Sequence, residues 1–277
     1  MEPLPRWTLR CLLGIPRVAR ERALFGRSPA SHAARRAVQR ILKGAKQAQI
    51  QFAEGPAAGY SFRCFTSEKY FLMGADYERE MREALQGLGR SGMVAYEVGA
   101  HCGYWAVLLS RICGQHGRVF AFEASAANFE RLVGNLRLNL TPNVTPVNRA
   151  VSDLRSDETV RLDDFVLAEE HTPPGLLLVN VGGEGGKVLR GARETLRQTE
   201  PLILCEIHSV KEQDEIEDEV ATLGYAMRTI SNAGKFPRRV LCEPRTAPKI
   251  AGNEAFMFAA PPAILRRRYL QHSFQGA

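Results

Sequence analysis

The sequence predicts an α/β protein with a doubly wound, mainly parallel sheet, and three observations support this prediction. From Met93 onward, apolar strand-like runs alternate regularly with amphipathic helical runs. The turns between them are short and carry Gly or Pro. The last two strand-like runs have no helix between them, which is typical of an antiparallel hairpin. Together these observations indicate seven strands rather than the six of a dinucleotide-binding sheet.

The periodicity of the apolar residues places the individual elements in chain order. Short strands flank a turn at residues 55–59 within the segment 51–65, and Lys69 to Leu88 runs into a helix. The parallel strands are predicted at 93–98, 118–122, 144–148, 175–181 and 202–207. The helices are predicted at about 104–113, 126–138, 186–197 and 212–223. The closing pair of strands fits Ala226–Ile230 and Ala255–Ala259.

The charge of the chain is concentrated at its beginning. Residues 1–50 hold eleven Lys or Arg against two acids, a balance of +9, so the remaining residues sum to 7 − 9 = −2. The body of the protein has no basic stripe interleaved with aromatic residues and no recognised nucleic-acid module. We therefore expect no specific nucleic-acid binding. With 45% hydrophobic and 24% charged residues, the chain is also not wholly disordered.

Composition divides the chain into a basic helical extension at 1–50, a main domain at 51–262 and a basic tail at 263–277. Three interpretations of the extension remain open. It is a helical segment packed beside the main domain, a helix that contacts a membrane surface or a partner, or an organelle-targeting presequence. No apolar run approaches the roughly 18 residues that a membrane span needs.

The cysteines indicate a reduced compartment. They are scattered, form no Cys-x-x-Cys pair, and several lie within predicted strands or helices: Cys11, Cys64, Cys102, Cys113, Cys205 and Cys242. A cytoplasmic protein is therefore expected. The alternative is an organelle-targeted or membrane-peripheral protein, through the basic N-terminus.

The segment from Met93 to Glu123 carries the most informative ligand-binding pattern. A strand-like run is followed by a loop that reads Glu97-x-Gly99-x-x-x-Gly103, then by a helix and a second strand that ends at Glu123. Glycines let the backbone approach a ligand, and the helix N-terminus favours an anion. An acidic residue after the second strand typically accepts hydrogen bonds from ribose hydroxyls. The spacing differs from the nicotinamide fingerprint Gly-x-Gly-x-x-Gly.

This loop resembles the S-adenosylmethionine loop of Rossmann-like methyltransferases. On that resemblance, Glu97 would hold the methionine ammonium indirectly through the loop, and Glu123 would bind the ribose diol. The expected cofactor contacts are Glu97, Gly99, Ala100, His101, Gly103, Tyr104, Glu123 and Ala124.

From about Gly55 to Ala259 the chain resembles the FkbM-type methyltransferases. The likeness depends on motifs in a fixed order: Tyr70, Gly74 to Glu78, the Glu97–Gly103 loop, Ala121 to Glu123 with Asn128-Phe129, Leu132 to Asn135, Asn148 to Asp153, Leu162 to Phe165, Leu189 to Ala192, and Glu206 to His208. The resemblance implies a seven-stranded methyltransferase sheet with S-adenosylmethionine as cofactor. It also implies methyl transfer to an oxygen, commonly on a sugar, a lipid-linked glycan or a secondary metabolite.

The chain departs from the family pattern after the fourth parallel strand. The family usually reads Lys-Ile-Asp-Val-Glu-Gly-Ala-Glu, whereas this chain has Asn180 at the Asp and Gly182 and Gly185 at the two Glu positions. Asparagine hydrogen-bonds but is not a general base near neutral pH. Glu184 lies one position from the second acid and would replace it if the turn is reshaped. His101 stands where the family usually has Asn.

The catalytic candidates are His208, Glu206 and Asn180. His208 follows a predicted strand, and residues at the carboxyl ends of such strands face the ligand crevice. Histidine ordinarily changes protonation near neutral pH, which suits a general base, and Glu206 would orient it or form a buried ion pair. Asp163 and Asp164 either cap the turn after a strand, the favoured interpretation, or line the crevice, and Arg190 is interpreted as an exposed or packing residue. No metal site is predicted.

We therefore expect an O-methyltransferase that acts on a hydroxyl of a small molecule, sugar or glycan. Two rival hypotheses remain. The departures at Asn180, Gly182 and Gly185 favour a protein that binds the cofactor without turnover and serves as a regulator or scaffold. A nicotinamide-dependent oxidoreductase is disfavoured by the loop spacing and by the antiparallel end of the sheet.

Overall fold

The structure is a computed structural model that describes residues 48–52, 57–64, 78–230 and 237–245. The chain divides into two compact units, one up to Arg79 and one from Glu80 onward. The predicted basic tail, and all of the extension before residue 48, lie outside the described residues. The division into extension, main domain and tail therefore stays a prediction.

The first unit contains an antiparallel hairpin of β1 (Ala48–Gln51) and β2 (Ser61–Cys64). The hairpin closes through a hydrogen bond from the Gly59 amide to the Phe52 carbonyl, at 2.8 Å. The rings of Phe52 and Phe62 meet edge to face, with centroids 5.7 Å apart. The two short strands around a turn are confirmed, although the first strand begins three residues earlier than 51.

The second unit alternates strands and helices. Its helices are α1 (Arg79–Leu88), α2 (Tyr104–Cys113), α3 (Ala126–Leu138), α4 (Gly185–Arg190), α5 (Arg193–Thr199) and α6 (Val210–Thr222), with a π-helical turn at Asp164–Ala168. Its strands are β3 (Val94–Val98), β4 (Arg118–Phe122), β5 (Val144–Val147), β6 (Ala150–Val151), β7 (Thr159–Val160), β8 (Leu176–Val179), β9 (Leu202–Ile207), β10 (Tyr225–Thr229) and β11 (Arg238–Pro244).

Seven strands form one sheet in the order β10-β11-β9-β8-β3-β4-β5. Every pair from β9 to β5 is parallel, and β11 runs antiparallel to both of its neighbours. The predicted seven-stranded, doubly wound α/β fold is therefore confirmed. The chain leaves β3 for β4 on one side, whereas β8 returns on the other side. Ligands of such sheets bind at the carboxyl ends of the strands where the order switches, which here are β3 and β8.

The central strands are buried on both faces, which explains their continuous apolar sequences. Leu176–Val179 is fully buried and reads Leu-Leu-Leu-Val. On one face, the Phe165 ring of the π-helical turn contacts three aromatic rings of β3 and β4. Its centroid lies 5.8 Å from that of Tyr96, 5.2 Å from that of Phe120 and 5.0 Å from that of Phe122. This aromatic cluster packs the crossover segment onto the middle of the sheet.

The second strand of the terminal hairpin was predicted in the wrong place. It is Arg238–Pro244, which pairs with both β10 and β9, whereas Ala255–Ala259 lies outside the described residues. The strand begins with two arginines, so its apolar alternation is short. Val240 and Cys242 belong to the core cluster on one face, and Arg239 lies opposite Glu206 and forms an ion pair with it at 3.3 Å.

The helix predicted at 186–197 is divided into α4 and α5 by Gly191. The Gly191 carbonyl accepts a hydrogen bond from the Asp163 amide at 3.0 Å. A Cβ atom at Gly191 would lie 2.1 Å from the Ser152 carbonyl oxygen, so a glycine is needed where these segments cross. The Asp163 carboxylate then accepts from the Thr195 amide at 2.8 Å. Asp163 therefore caps α5, and its side chain does not cap the turn that follows its own strand.

Arg190 is a packing residue, as expected. Its Nε donates to Asp153 at 2.8 Å, and its guanidinium lies 3.9 Å from Glu215 and 3.8 Å from Glu219 of α6. The hydrogen bond from Arg190 holds the pKa of the Asp153 carboxyl below its ordinary value. Arg190 therefore connects the segment after β6 with α6.

Replacing Gly191 tests the crossing with Ser152. We expect Gly191→Ala to lower the free energy of unfolding by about 1–3 kcal/mol, because a methyl group must displace backbone. The matched control is Gly134→Ala in α3, where a Cβ atom would meet nothing within 4 Å. That change should stabilise the helix by about 0.5–1 kcal/mol. Urea unfolding of both variants checks the prediction, and equal effects would contradict it.

Candidate cofactor and acceptor site

The loop after β3 is held against the end of β4. The amides of Gly99 and Ala100 both donate to the Phe122 carbonyl, at 3.0 and 2.9 Å. The loop then turns back through a hydrogen bond from the Gly103 amide to the Ala100 carbonyl, at 2.8 Å. Gly103 immediately precedes α2. The predicted ligand loop is therefore a fixed turn at the carboxyl edge of the sheet.

Packing within the protein requires a glycine at position 99, and the backbone conformation favours one at position 103. Each has a φ of +89°, a conformation that favours glycine. A Cβ atom at Gly99 would lie 2.1 Å from the Asn180 carbonyl oxygen, and one at Gly103 would lie 2.6 Å from Leu132 Cδ1. The sequence pattern alone indicates glycines that let a ligand approach the backbone. The structure adds that Gly99 lets the cofactor loop touch the turn after β8.

Glu123 joins two loops at this edge. Its carboxylate accepts a hydrogen bond from the His101 amide at 2.7 Å and another from the Ser125 amide at 2.8 Å. The side chain is buried, at 8% exposure. A carboxylate offers about four lone-pair positions, so roughly two remain for a ligand. Ser125 caps α3, so Glu123 links the loop after β3 to the start of α3.

Two side-chain amides support these loops, and neither was assigned a role from the sequence. Asn135 of α3, fully buried, donates from Nδ2 to the Cys102 carbonyl at 2.8 Å. Asn148, after β5, donates to the Glu123 carbonyl at 2.7 Å. A polar residue on the apolar face of a helix was the available signal for Asn135, because a buried amide needs hydrogen-bond partners.

The remaining predicted contacts differ in their exposure. Ala124 and His101 are exposed at the edge, and His101 has a φ of 51°, which histidine adopts more readily than most residues. Glu97 is the last residue but one of β3 and is 1% exposed. Tyr104 begins α2, and its ring packs edge to face on Trp105 with centroids 5.1 Å apart. The side chains of Glu97 and Tyr104 are therefore enclosed by protein.

The turn after β8 forms the other side of the edge. The backbone amide of Asn180 donates to the Val98 carbonyl at 2.9 Å, so Asn180 borders the loop after β3. Gly182 and Gly183 are exposed, and a Cβ atom at either would meet nothing within 4 Å. Glu184 forms an ion pair with Lys187 at 2.5 Å. Its carboxylate therefore lies along α4 and does not replace the acid that the family has in this turn.

Glu206 and His208 lie at the end of β9, beside Asn180. Glu206 is 5% exposed and lies 3.3 Å from the Arg239 guanidinium. His208 is exposed, and its Nε2 is 3.9 Å from Glu206 Oε1. That distance is longer than a hydrogen bond. The structure thus brings the three catalytic candidates to one edge, with Glu206 committed mainly to Arg239.

Glu212 is a residue of this edge that the sequence argument missed. Its carboxylate is 1% exposed and accepts hydrogen bonds from the amides of Gly185, at 3.1 Å, and His208, at 2.7 Å. Ser209 caps α6 by accepting from the Glu212 amide at 3.2 Å. The signal in the sequence was Ser209-x-x-Glu212, the pattern of a capping box.

Comparison with known proteins identifies the family. Residues 97–234 match the family model described as the methyltransferase FkbM domain. The chain belongs to the FkbM methyltransferase family. Methyltransferases of this family use S-adenosylmethionine, so the cofactor of this FkbM protein is S-adenosylmethionine. The matched region begins at the predicted cofactor loop and ends after β10. No curated protein matches the chain.

Several solved structures resemble the fold. A methyltransferase FkbM from Methylobacillus flagellatus is 14% identical, with a TM-score of 0.46, over 64% of this chain and 55% of that one. An S-adenosylmethionine-dependent O-methyltransferase from Thermotoga maritima is 13% identical, with a TM-score of 0.48, over 62% and 66%. A precorrin-6y C5,15-methyltransferase from Geobacter metallireducens is 16% identical, with a TM-score of 0.45, over 60% and 86%. These low identities and scores carry no argument about the substrate.

The residues at the edge fit this cofactor. Glu123 keeps lone pairs for ribose hydroxyls, and the loop from Gly99 to Gly103 leads into the N-terminus of α2, where an anion is favoured. Among the residues that the structure describes, no group of His, Cys, Asp and Glu gathers as a metal site. None of the described helices has the length and hydropathy of a transmembrane span.

Replacing Gly99 tests the contact between the cofactor loop and the turn after β8. We expect Gly99→Ala to lower the thermal midpoint much more than Gly183→Ala. Both residues have a φ of +89°, so both variants carry the strain of that conformation, about 1–2 kcal/mol. Only position 99 adds the clash with the Asn180 carbonyl. Equal losses in differential scanning calorimetry would show that the two loops do not meet as described.

Proposed function

We propose that the protein transfers the methyl group of S-adenosylmethionine to a hydroxyl oxygen of a small molecule, sugar or glycan. The observation that supports this best is the contact between the two loops at Gly99 and Asn180. Because of this contact, the loop that would face the cofactor lies next to the exposed glycine turn at 182–183. An acceptor has room at that turn. Proximity and alignment of the two substrates supply much of the rate of such a transfer.

In the cofactor half, Glu123 accepts hydrogen bonds from the ribose hydroxyls with the lone pairs that His101 and Ser125 leave open. The backbone from Gly99 to Gly103 faces the methionine end, and the N-terminus of α2 favours its carboxylate. Ala124, exposed beside Glu123, borders the adenosine.

In the acceptor half, His208 is the general base. It is exposed at the end of β9 and takes the proton of the acceptor hydroxyl as the oxygen bonds to the methyl carbon. The bound cofactor supplies the electrophilic methyl group and leaves as S-adenosylhomocysteine. Asn180 serves as a hydrogen-bonding group for the acceptor, because its amide donates and accepts but does not take up a proton near neutral pH.

A second candidate function is cofactor binding without turnover, in a regulator or scaffold. It is favoured by the turn after β8, where Gly182 carries no carboxylate and the Glu184 carboxylate is bound to Lys187. The two functions share the cofactor half and differ only in whether an acceptor is methylated.

The proposed location is the cytoplasm. Five cysteines lie within the described residues, and all five are buried free thiols: Cys64, Cys102, Cys113, Cys205 and Cys242. Free thiols are typical of proteins that are kept in a reducing compartment. Contact of residues 1–50 with a membrane stays a prediction, because almost all of that segment lies outside the described residues.

Cofactor binding can be measured without an acceptor. We expect the parent protein to bind S-adenosylhomocysteine in isothermal titration, and Glu123→Ala to weaken that binding about tenfold or more, because hydrogen bonds to a carboxylate are lost. Glu130→Ala, an exposed glutamate in α3, is the control and should bind like the parent. NAD should not bind. Equal affinity of the two variants would overturn the assignment of Glu123.

Methyl transfer is tested with radiolabelled S-adenosylmethionine and a panel of a free monosaccharide, an alkyl glycoside and a phenol. We expect His208→Ala to reduce transfer by about 10²–10⁴-fold, the usual contribution of a general base, and to leave the affinity for S-adenosylhomocysteine unchanged. His116→Ala, an exposed histidine before β4, should transfer like the parent.

The double substitution Asn180→Asp with Gly182→Glu separates the two candidate functions. It places carboxylates at positions where the family usually has them. A parent that binds S-adenosylhomocysteine, methylates no member of the panel and gains no activity from this substitution would support the binding function instead.

A further inference from the structure

The carboxylate of Glu212 holds together two turns on the acceptor side. Its Oε1 accepts from the Gly185 amide at the start of α4, and its Oε2 accepts from the His208 amide after β9. Glu212 itself is fixed by Ser209, whose hydroxyl accepts from the Glu212 amide. A single buried side chain therefore sets the distance between the turn after β8 and the proposed base.

The chemistry of these contacts makes them strong. Both donors are backbone amides and the acceptor is a carboxylate, so the hydrogen bonds are charge-assisted. The carboxylate lies in the first turn of α6, where the helix dipole favours a negative charge. Glu212 is 1% exposed, so loss of either donor would leave one oxygen of a buried carboxylate without its hydrogen bond.

Gly185 packs closely against side chains of α6. A Cβ atom there would lie 3.0 Å from Glu212 Oε1 and 2.8 Å from Ile216 Cδ1. The neighbouring Gly182 and Gly183, by contrast, have open space at the Cβ position. The glycines of this turn thus differ in their surroundings: Gly185 lies against α6, and the other two leave room at the edge.

Glu212 repeats on the acceptor side what Glu123 does on the cofactor side. Each is a buried carboxylate that accepts from the backbone amides of two different loops. The two halves are joined between Val98 and Asn180 by a hydrogen bond at 2.9 Å. Fixed loops on both sides of the crevice are what an in-line methyl transfer requires.

We propose that Glu212 is a positioning residue for methyl transfer, because it fixes the turn from Asn180 to Gly185 against His208. This inference rests on the proposed function, in which His208 and that turn receive the acceptor. Glu212 touches neither substrate and acts through the backbone that it holds.

The test compares Glu212→Gln with Glu219→Gln in the full chain. Glutamine keeps the shape but has one acceptor oxygen, so one of the two amides loses its bond. Glu219 is a matched control, since it is also buried in α6 and hydrogen-bonded, but to the guanidinium of Arg193 at 2.8 Å, with Arg190 at 3.8 Å, and not to backbone amides of the turn. We expect Glu212→Gln to lower the rate of transfer to the panel acceptor about tenfold or more, because small misplacements of substrates are costly. Affinity for S-adenosylhomocysteine should stay within about twofold of the parent.

Amide hydrogen exchange tests the two hydrogen bonds of the Glu212 carboxylate without any acceptor substrate. In Glu212→Gln the amide of Gly185 or His208 should exchange about tenfold faster than in the parent, whereas Glu219→Gln should leave both unchanged. If Glu212→Gln does not fold, Gly185→Ala crowds the same carboxylate with its charge intact, because a Cβ atom would lie 3.0 Å from Oε1, and should speed exchange at the Gly185 amide.

Three results would overturn the inference. They are unchanged exchange at both amides, an equal loss of transfer in the Glu212 and Glu219 variants, and a parallel loss of transfer and of cofactor affinity. A different result would overturn the proposed function instead. In that case the parent protein transfers no methyl group, while faster amide exchange in Glu212→Gln still shows that Glu212 holds the two turns.

Discussion

The hydrogen bonds of the Glu123 carboxylate are the interaction on which the rest of this edge depends. The loop after β3 leaves the sheet with glycines at positive φ, so its own backbone conformation gives it little rigidity. Glu123 fixes that loop at His101 and fixes the start of α3 at Ser125. Asn135 then reaches back from α3 to the Cys102 carbonyl. Without Glu123, the loop would keep this bond from Asn135 but lose its link to the start of α3.

The sequence predicted the sheet well because its central strands are buried on both faces. Continuous apolar runs such as Leu176–Val179 leave few alternatives, and the short turns fix their order. The last strand was predicted at the wrong residues because β11 begins with Arg238-Arg239. Two charged residues in a row interrupt the apolar pattern by which a strand is recognised. Arg239 is accommodated there by its ion pair with Glu206, a contact between separate parts of the chain. Local periodicity does not contain that information.

The candidate site was predicted in its position but not in its internal connections. The sequence located Glu123, the loop glycines and His208 at strand ends, and the fold brings them to one edge. It did not reveal that only a glycine at position 99 leaves room for the Asn180 carbonyl oxygen. These two residues are 81 positions apart in the chain, and their contact depends on the fold. Glu212 was missed for a similar reason. Its capping pattern is visible in the sequence, but its bond to Gly185 depends on how α4 and α6 pack.

The distribution of carboxylates on the acceptor side explains how this chain departs from its family pattern. Glu206 is paired with Arg239, Glu184 with Lys187, and Glu212 with two backbone amides. These partners occupy the three carboxylates within the protein. His208 at the same edge is exposed, and its Nε2 lies 3.9 Å from Glu206 Oε1. The acidic side chains of this edge are thus bound to partners within the protein, and in the proposed function proton removal falls to the exposed imidazole of His208.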